Sequence, residues 1–420
     1  MRKAYKKDIV YSVVPFCDAS QLFLTASSDS SFVTPANDTI QGHSQSVPDY
    51  PRQIRQLLED VRELLLAEGF RSAVVMSNFH LADIRMKELL RQLVTEIFPE
   101  GLGALTIVPQ APANGSACGV EIWAIAGQNV SHRVFVPNHV VTMQTESARW
   151  FFGGNFRAGN ATVGAYSRAF DTFRRLGSQL RRCRMRLEQV LRMWIYQGHL
   201  LLPDKKTPAG VLQRYQELNR ARTDFFGNTK FLRNYLPEGF NSAAFPASTG
   251  IGADDVDVVM SAISVDVEQG DFIAVPLENP NQTSAFSYGA NYSPQSPKFA
   301  RGVAVSRKNW CQIFVSGTAS ITNSESRFDG DPASQTEQTL NNIATLIDGD
   351  NLAKHGINGF KSGLDKLECV RVYVKYPKDF NLVQKICEKH MENVPILYSV
   401  ADVCRPELLV EIEGFAVTTK

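Results

Sequence analysis

An excess of charge of either sign is missing from the chain: its 420 residues carry 44 lysines and arginines against 43 aspartates and glutamates, a formal charge of +1. Without a long basic tract, a phosphate-backbone partner has little electrostatic support, so no nucleic acid is expected. No run approaches the ~18 apolar residues a membrane span needs. The basic start, "MRKAYKKDIVYSVVPFC", has only a short apolar stretch, interrupted by Asp8, so neither export nor anchoring is expected. Cysteine is sparse as well. The seven, at 17, 118, 183, 311, 369, 387 and 404, are odd in number and never spaced CxxC, which argues against a disulfide framework and a zinc site and points to reduced thiols in a cytoplasmic protein. Walker, Rossmann, HExxH and GxSxG patterns are missing. Histidines 43, 80, 132, 139, 199, 355 and 390 show no ligand spacing. Neither metal nor cofactor is expected.

What is present is repetition. A chain of this length, 44% hydrophobic, holds roughly two to four units. Three stretches close on similar short strands: "GVEIWAIAG" at 119–127, "VVMSAISVD" at 258–266 and "LVEIEGFAV" at 409–417. This alignment makes Glu121 and Glu411 equivalent, two steps of about 145 residues apart, with an apolar Val259 near the matching place of the middle unit. It implies one competent cleft and two degenerate ones.

Hydrophobic period predicts one interior order three times, helix, strand, helix, strand. In the first unit these are "YPRQIRQLLEDVRELLLAEG", "SAVVMSNFHL", "RMKELLRQLVTEIF" and "ALTIVPQ". The second has "AYSRAFDTFRRLGSQLRRC", "QVLRMWIYQG", "QRYQELNRARTDFF" and "FPASTGIG". The third has "PASQTEQTLNNIATLI", "LECVRVYVKY", "FNLVQKICEKHM" and "PILYSVADVC". A hairpin precedes each series, most clearly in the second and third units, as in "RGVAVSRKNWCQIFVSGTASI". The expected architecture is α+β, a mixed sheet with two helices on one face, repeated over residues 1–130, 131–275 and 276–420. Asp331 reads as an N-cap before Pro332. The polar segment 25–51 reads as a surface loop, and the aromatic segment 276–300 as an ordered linker. The arginines of "RRLGSQLRRCRMR" read as a solvated helix face. Tyr215, Leu218, Ala221 and Phe225 of "YQELNRARTDFF" read as a packing stripe.

The last unit carries more chemistry. "LLVEIEGF" puts Glu411 and Glu413 on one face of a strand where valine would pack better. "FVSGTASI" runs into Gly317, Thr318, Ala319 and Ser320, small residues that let a ligand approach the backbone. "SPKFARG" places Arg301 at a strand entry, and "ILYSVADVCR" brings Tyr398, Cys404 and Arg405 into the same neighbourhood.

On these repeats the sequence resembles the RidA/YjgF superfamily, with its chorismate mutase-like fold, whose subunit is this sheet-and-two-helix unit and whose trimers hold ligands between subunits. Three such units in one chain resemble that trimer fused covalently, a pseudo-trimer. Within the superfamily, "SPKFARG", "VSGTASI", "GDPASQTEQTLNNI" and "ADVCRPELLVEIEG" are most similar to the chorismatases. The resemblance implies cleavage of the enolpyruvyl ether of chorismate to pyruvate and either a hydroxybenzoate or a dihydroxy-cyclohexadiene carboxylate. It implies Glu411 as the acid, and Cys404 paired with Gly317 as the mark of the 3-hydroxybenzoate-forming branch. For the substrate's carboxylates it leaves Arg301 and Arg405, with Tyr288, Tyr292, Tyr398, Thr318, Ala319 and Glu413 around them. Two other readings stay open. RidA-like enamine/imine deamination needs an arginine just after the proline that opens the penultimate strand, where "VPILYS" has Leu397. A non-catalytic metabolite binder is the other. The partner in every case is a small-molecule carboxylate, and the chain is expected to be a monomer or a weak homo-oligomer.

Overall fold

The computed structural model describes residues 2–5, 9–35, 46–207, 210–255, 257–267, 270–289 and 292–420. Three six-stranded sheets run in sequence along the chain, and all three have the same strand order. From edge to edge the first sheet is Arg2–Tyr5, Ile9–Phe16, Ala19–Ser27, Cys118–Ala126, Val74–Leu81, Ala104–Val108. The second is Ser131–Val136, Val140–Gln144, Ala148–Arg157, Val258–Val267, Val190–Gly198, Ala247–Ala253. The third is Phe272–Leu277, Gly302–Arg307, Trp310–Ala319, Val410–Thr419, Leu367–Val374, Ile396–Val400. Within each sheet only the last pair is parallel, and a helix supplies the crossover that a parallel pair needs.

Two long helices cover each sheet, as the apolar period predicts: Tyr50–Ala67 and Lys87–Ile97, Ala165–Arg182 and Arg214–Phe226, Pro332–Ile347 and Phe380–His390. Asp331 caps its helix by accepting the Ser334 N–H at 3.0 Å, and Pro332 fills the first turn. The arginines of the basic helix (174, 175, 181, 182) are exposed while Phe173, Leu176 and Leu180 are buried. The first unit, in which the hairpin is least legible, has one too, Ile9–Phe16 against Ala19–Ser27.

The faces of the sheets turned away from the helices meet in a shared aromatic interior, where Phe23 stacks on Phe415 at 5.1 Å and Trp123 meets Phe152 at 5.3 Å. Offset and edge-on contacts of this kind add to the area they bury. Every cysteine of the described residues is free, and among those residues no helix is long and apolar enough to cross a membrane. The expected break at 275/276 cuts the strand Phe272–Leu277, which pairs with Gly302–Arg307 in the third sheet. Of the segment 25–51, residues 36–45 lie outside the described residues; the rest holds a short hairpin, Val33–Pro35 against Ser46–Pro48.

Candidate active site

Glu411 sits near the start of the strand Val410–Thr419, opposite Ala319 on one side and Tyr373 on the other. It is 4% exposed. On the neighbouring strand the pairing skips between Val315 and Thr318, leaving Ser316 and Gly317 in a bulge. Bulges of this kind re-aim residues beside functional sites. A β-carbon at residue 317 would run into the Glu411 carboxyl oxygen, so a larger residue there would have to displace that carboxyl.

Glu411 opens into a cavity of about 200 Å³ between the second and third units. The second unit contributes Tyr215 and Asn219 from the helix Arg214–Phe226, which starts where the Gln216 side chain accepts the Gln213 N–H at 2.9 Å. The third contributes Arg301, Gly317, Ala319, Cys404, Arg405 and Glu407, and Tyr288 and Tyr292 come from the aromatic linker.

The electrostatics favour a protonated acid. Burial, and then the charge of Glu413, push the Glu411 carboxyl up to about 8, against the opposing pull of Arg192 and Arg301. A carboxyl in that state is mostly un-ionised at neutral pH and able to donate. Burial pushes the Cys404 thiol up to about 12, with Glu411 adding to it, so Cys404 stands in the wall as a neutral thiol.

The cations are anchored. Arg301, 3% exposed, donates from Nη2 to the Thr283 carbonyl at 2.9 Å and to the Tyr288 hydroxyl, while its buried Nε has no partner among the described residues. Arg405 donates from Nη1 to the Ser324 carbonyl at 2.9 Å and to Ser326 Oγ at 3.0 Å. Its guanidinium lies 4.3 Å from the Tyr292 ring centre, a cation-π contact. Glu407 accepts from Ser326 rather than pairing directly with Arg405. Asn219, fully buried, accepts at Oδ1 from Arg222 at 2.6 Å, and its Nδ2 makes no hydrogen bond of good geometry among the described residues. Unpartnered buried donors at Arg301 and Asn219 facing one cavity suit an oxygen-rich ligand.

No family model matches the chain. It is 32% identical over 259 residues to a 3-hydroxybenzoate synthase of Streptomyces hygroscopicus, covering 60% of this chain and 68% of the relative. To a chorismatase of Streptomyces rapamycinicus it is 31% identical over 268 residues, 62% and 71% of the two chains. The chain belongs to the chorismatase family. A chorismatase crystal structure shares the fold, with TM-score 0.62 and 20% identity over 82% of this chain and 93% of the other.

Within this chorismatase fold, eight of the eleven residues singled out from sequence line the cavity: Glu411, Cys404, Gly317, Ala319, Arg301, Arg405, Tyr288 and Tyr292. Three do not. Tyr398 packs on Phe380, 5.4 Å between ring centres, in a separate groove between the third and first units. Its strand runs along the far edge of the third sheet, so nearness in sequence to Cys404 does not bring it near. Thr318 points away from the cavity, its hydroxyl donating to the Ser316 carbonyl at 2.9 Å, because it is the first residue beyond the bulge.

Glu413 is also absent from the cavity wall. Its Oε1 accepts from Arg371 at 3.1 Å and from Tyr373 at 2.6 Å, and its Oε2 accepts from Arg192 and Thr249. Arg371 in turn clasps Glu121 of the first unit through two bonds of 2.7 and 2.6 Å and donates to Tyr196 of the second at 2.6 Å. Two carboxylates and two guanidinium groups, all 4% exposed or less, thus balance where the three units meet. Such pairing is what allows charge to stay buried.

Strand register corrects the equivalence of Glu121 with Glu411. Glu121 pairs with Asn78 and Glu413 with Arg371, each two residues beyond a bulge that both strands share, at Val74/Met76 and Leu367/Cys369. Glu121 therefore matches Glu413, whereas Glu411 matches Gly119 and Val259. Neither matching position holds an acid: Val259 is apolar, as read from sequence, but the first unit has Gly119 where Glu121 had been expected. Leu397 is likewise misassigned: it packs against Gly119, away from Glu411. At the interface between the second and third units the register position of Leu397, opposite Arg371, belongs to Thr249, opposite Trp194, which stands behind the Gly317 bulge.

The sequence reading took Tyr215 for packing alone and passed over Asn219, Thr249 and Glu278. Tyr215, Asn219 and Arg222 recur at helical spacing and form a polar stripe that the apolar stripe concealed. Burial pushes the Glu278 carboxyl up to about 7, opposed by Arg301.

Proposed function

We propose that this chain cleaves the enolpyruvyl ether of chorismate, with Glu411 as the proton donor, and releases pyruvate and 3-hydroxybenzoate. The observation that carries the reading is a buried carboxyl, its ionisation disfavoured by burial and by Glu413, opening into the same cavity as two anchored guanidinium groups. Glu411 delivers its proton to the terminal methylene of the enolpyruvyl group, leaving an oxocarbenium-like carbon. Chorismate equals 3-hydroxybenzoate plus pyruvate atom for atom, so this outcome takes up no water, whereas hydrolysis to the dihydroxy-cyclohexadiene carboxylate takes up one. Arg301 and Arg405 pair with the two substrate carboxylates, and Tyr288 and Tyr292 wall the ring. The 3-hydroxybenzoate outcome is supported by Cys404 standing as a thiol beside Gly317 and by the synthase among the relatives. No metal or cofactor takes part in this scheme. A single chain suffices, because its second and third units supply both walls.

An enamine deaminase would hold its substrate carboxylate on an arginine at a register position that Thr249, behind the Gly317 bulge, holds at this interface, and threonine carries no charge. Incubating the purified protein with chorismate, measuring pyruvate and separating the aromatic product tests the proposal. Pyruvate with an equal amount of 3-hydroxybenzoate is expected. No pyruvate above background at high enzyme concentration overturns it.

A further inference from the structure

The bulge beside Glu411 has a twin. In the strand Ala148–Arg157 the pairing skips between Gly153 and Phe156, as it does between Val315 and Thr318, so Asn155 holds the place of Gly317. In both bulges that residue's N–H is taken by a threonine from the last strand of the preceding unit. Gly317 donates to Thr249 Oγ1 at 2.9 Å and Asn155 to Thr106 Oγ1 at 3.2 Å. Thr249 and Thr106 occupy one register position, opposite Trp194 and Asn78. At the third interface Leu397 holds that position, and the facing strand Ala19–Ser27 pairs with Cys118–Ala126 without a bulge. Threonine and bulge occur together and are lost together.

Thr249 is tied further. Its oxygen also accepts from Arg192 at 2.6 Å and donates to Glu413, and its methyl lies 3.0 Å from where a Gly317 β-carbon would stand. One side chain thus joins the buried ion cluster to the cavity wall. We propose that Thr249 is a positioning residue for the proton donor: by holding the bulge in place it keeps the Gly317 backbone against the Glu411 carboxyl. The proposal rests on the reading of Glu411 given above. The first and second units show the same clasp with Val259 where the acid would stand, so there it only joins units.

The test compares T249V, T249S and T106V in steady-state chorismate cleavage and thermal melting. T249V is expected to lower kcat about tenfold or more with KM within about twofold, since a small misplacement of reacting groups acts on the chemical step. T249S, which keeps the hydroxyl, restores kcat to within about threefold. T106V loses the twin bond and lowers the melting temperature, but keeps wild-type kcat. Should T249V fail to fold, T249A removes the same hydroxyl with less crowding. Wild-type kcat in the Thr249 variant, a loss confined to KM, or an equal kcat loss in T106V overturns the proposal. If the wild-type protein releases no pyruvate, the proposed reaction falls and this inference with it; an active wild type with an indifferent T249V overturns this inference alone.

Discussion

The strand Val410–Thr419 of the third unit and the strand Cys118–Ala126 of the first lie at the same place in identical sheet orders, yet their glutamates do opposite work. Glu121 is matched by Arg371 through two hydrogen bonds; its charge is fully spent on holding units together. Glu411, at a position two residues earlier in the common register, has no such partner among the described residues and faces a cavity. The same side chain is structural where a guanidinium meets it and chemical where burial and a neighbouring carboxylate leave it protonated. An acid becomes a donor through what is withheld from it.

Substitutions at these two positions separate the roles. Glu411→Gln is isosteric with the neutral acid and is expected to cut kcat by about 10²- to 10⁴-fold, the usual worth of a positioned general acid, with the melting temperature little changed; a variant with wild-type kcat removes Glu411 from the acid role. Glu121→Gln reverses the pattern. It strips Arg371 of its main partner and is expected to cost about 3–5 kcal/mol of stability, read by denaturant unfolding, while kcat at a temperature where the protein is folded stays near wild type. A stable Glu121→Gln with lost turnover would dissolve the distinction.

Smaller effects sharpen it. Arg301→Lys keeps the charge but loses the planar fork, so KM for chorismate is expected to rise about tenfold with kcat changed less. For pH, a donor whose carboxyl lies at about 8 is protonated below that value, so kcat should hold at neutral pH and fall as pH rises through about 8. Glu413→Gln removes the carboxylate that raises Glu411, so the fall should begin at lower pH. A pH profile unmoved by that substitution would leave burial as the whole cause.

Much of this was legible without a structure, for local reasons. Helices and strands followed from period 3.6 and period 2, and the Asp331 cap from residue types that satisfy a helix start. The third unit's half of the site was legible because Arg301, Gly317, Cys404 and Glu411 lie in one repeat. The second unit's half was not, since Tyr215 and Asn219 reach the cavity, and Thr249 the Gly317 backbone behind it, only through the packing of one unit on another. Aligning "VEI" with "VEI" paired Glu121 with Glu411 because letters count residues, whereas bulges slide one strand past its neighbour.

The order of residues alone determined three repeated sheet-and-helix units, their α+β class, and a closing strand with acids turned into its dry face, because periodicity and side-chain alternation are properties of a short stretch of chain. Which acid keeps its proton was decided only by the tertiary structure. That choice depends on where the four donors around Glu413 and the guanidinium beside Glu121 come to lie, and those groups arrive from two separate units, the second and the third, to meet an acid of the first.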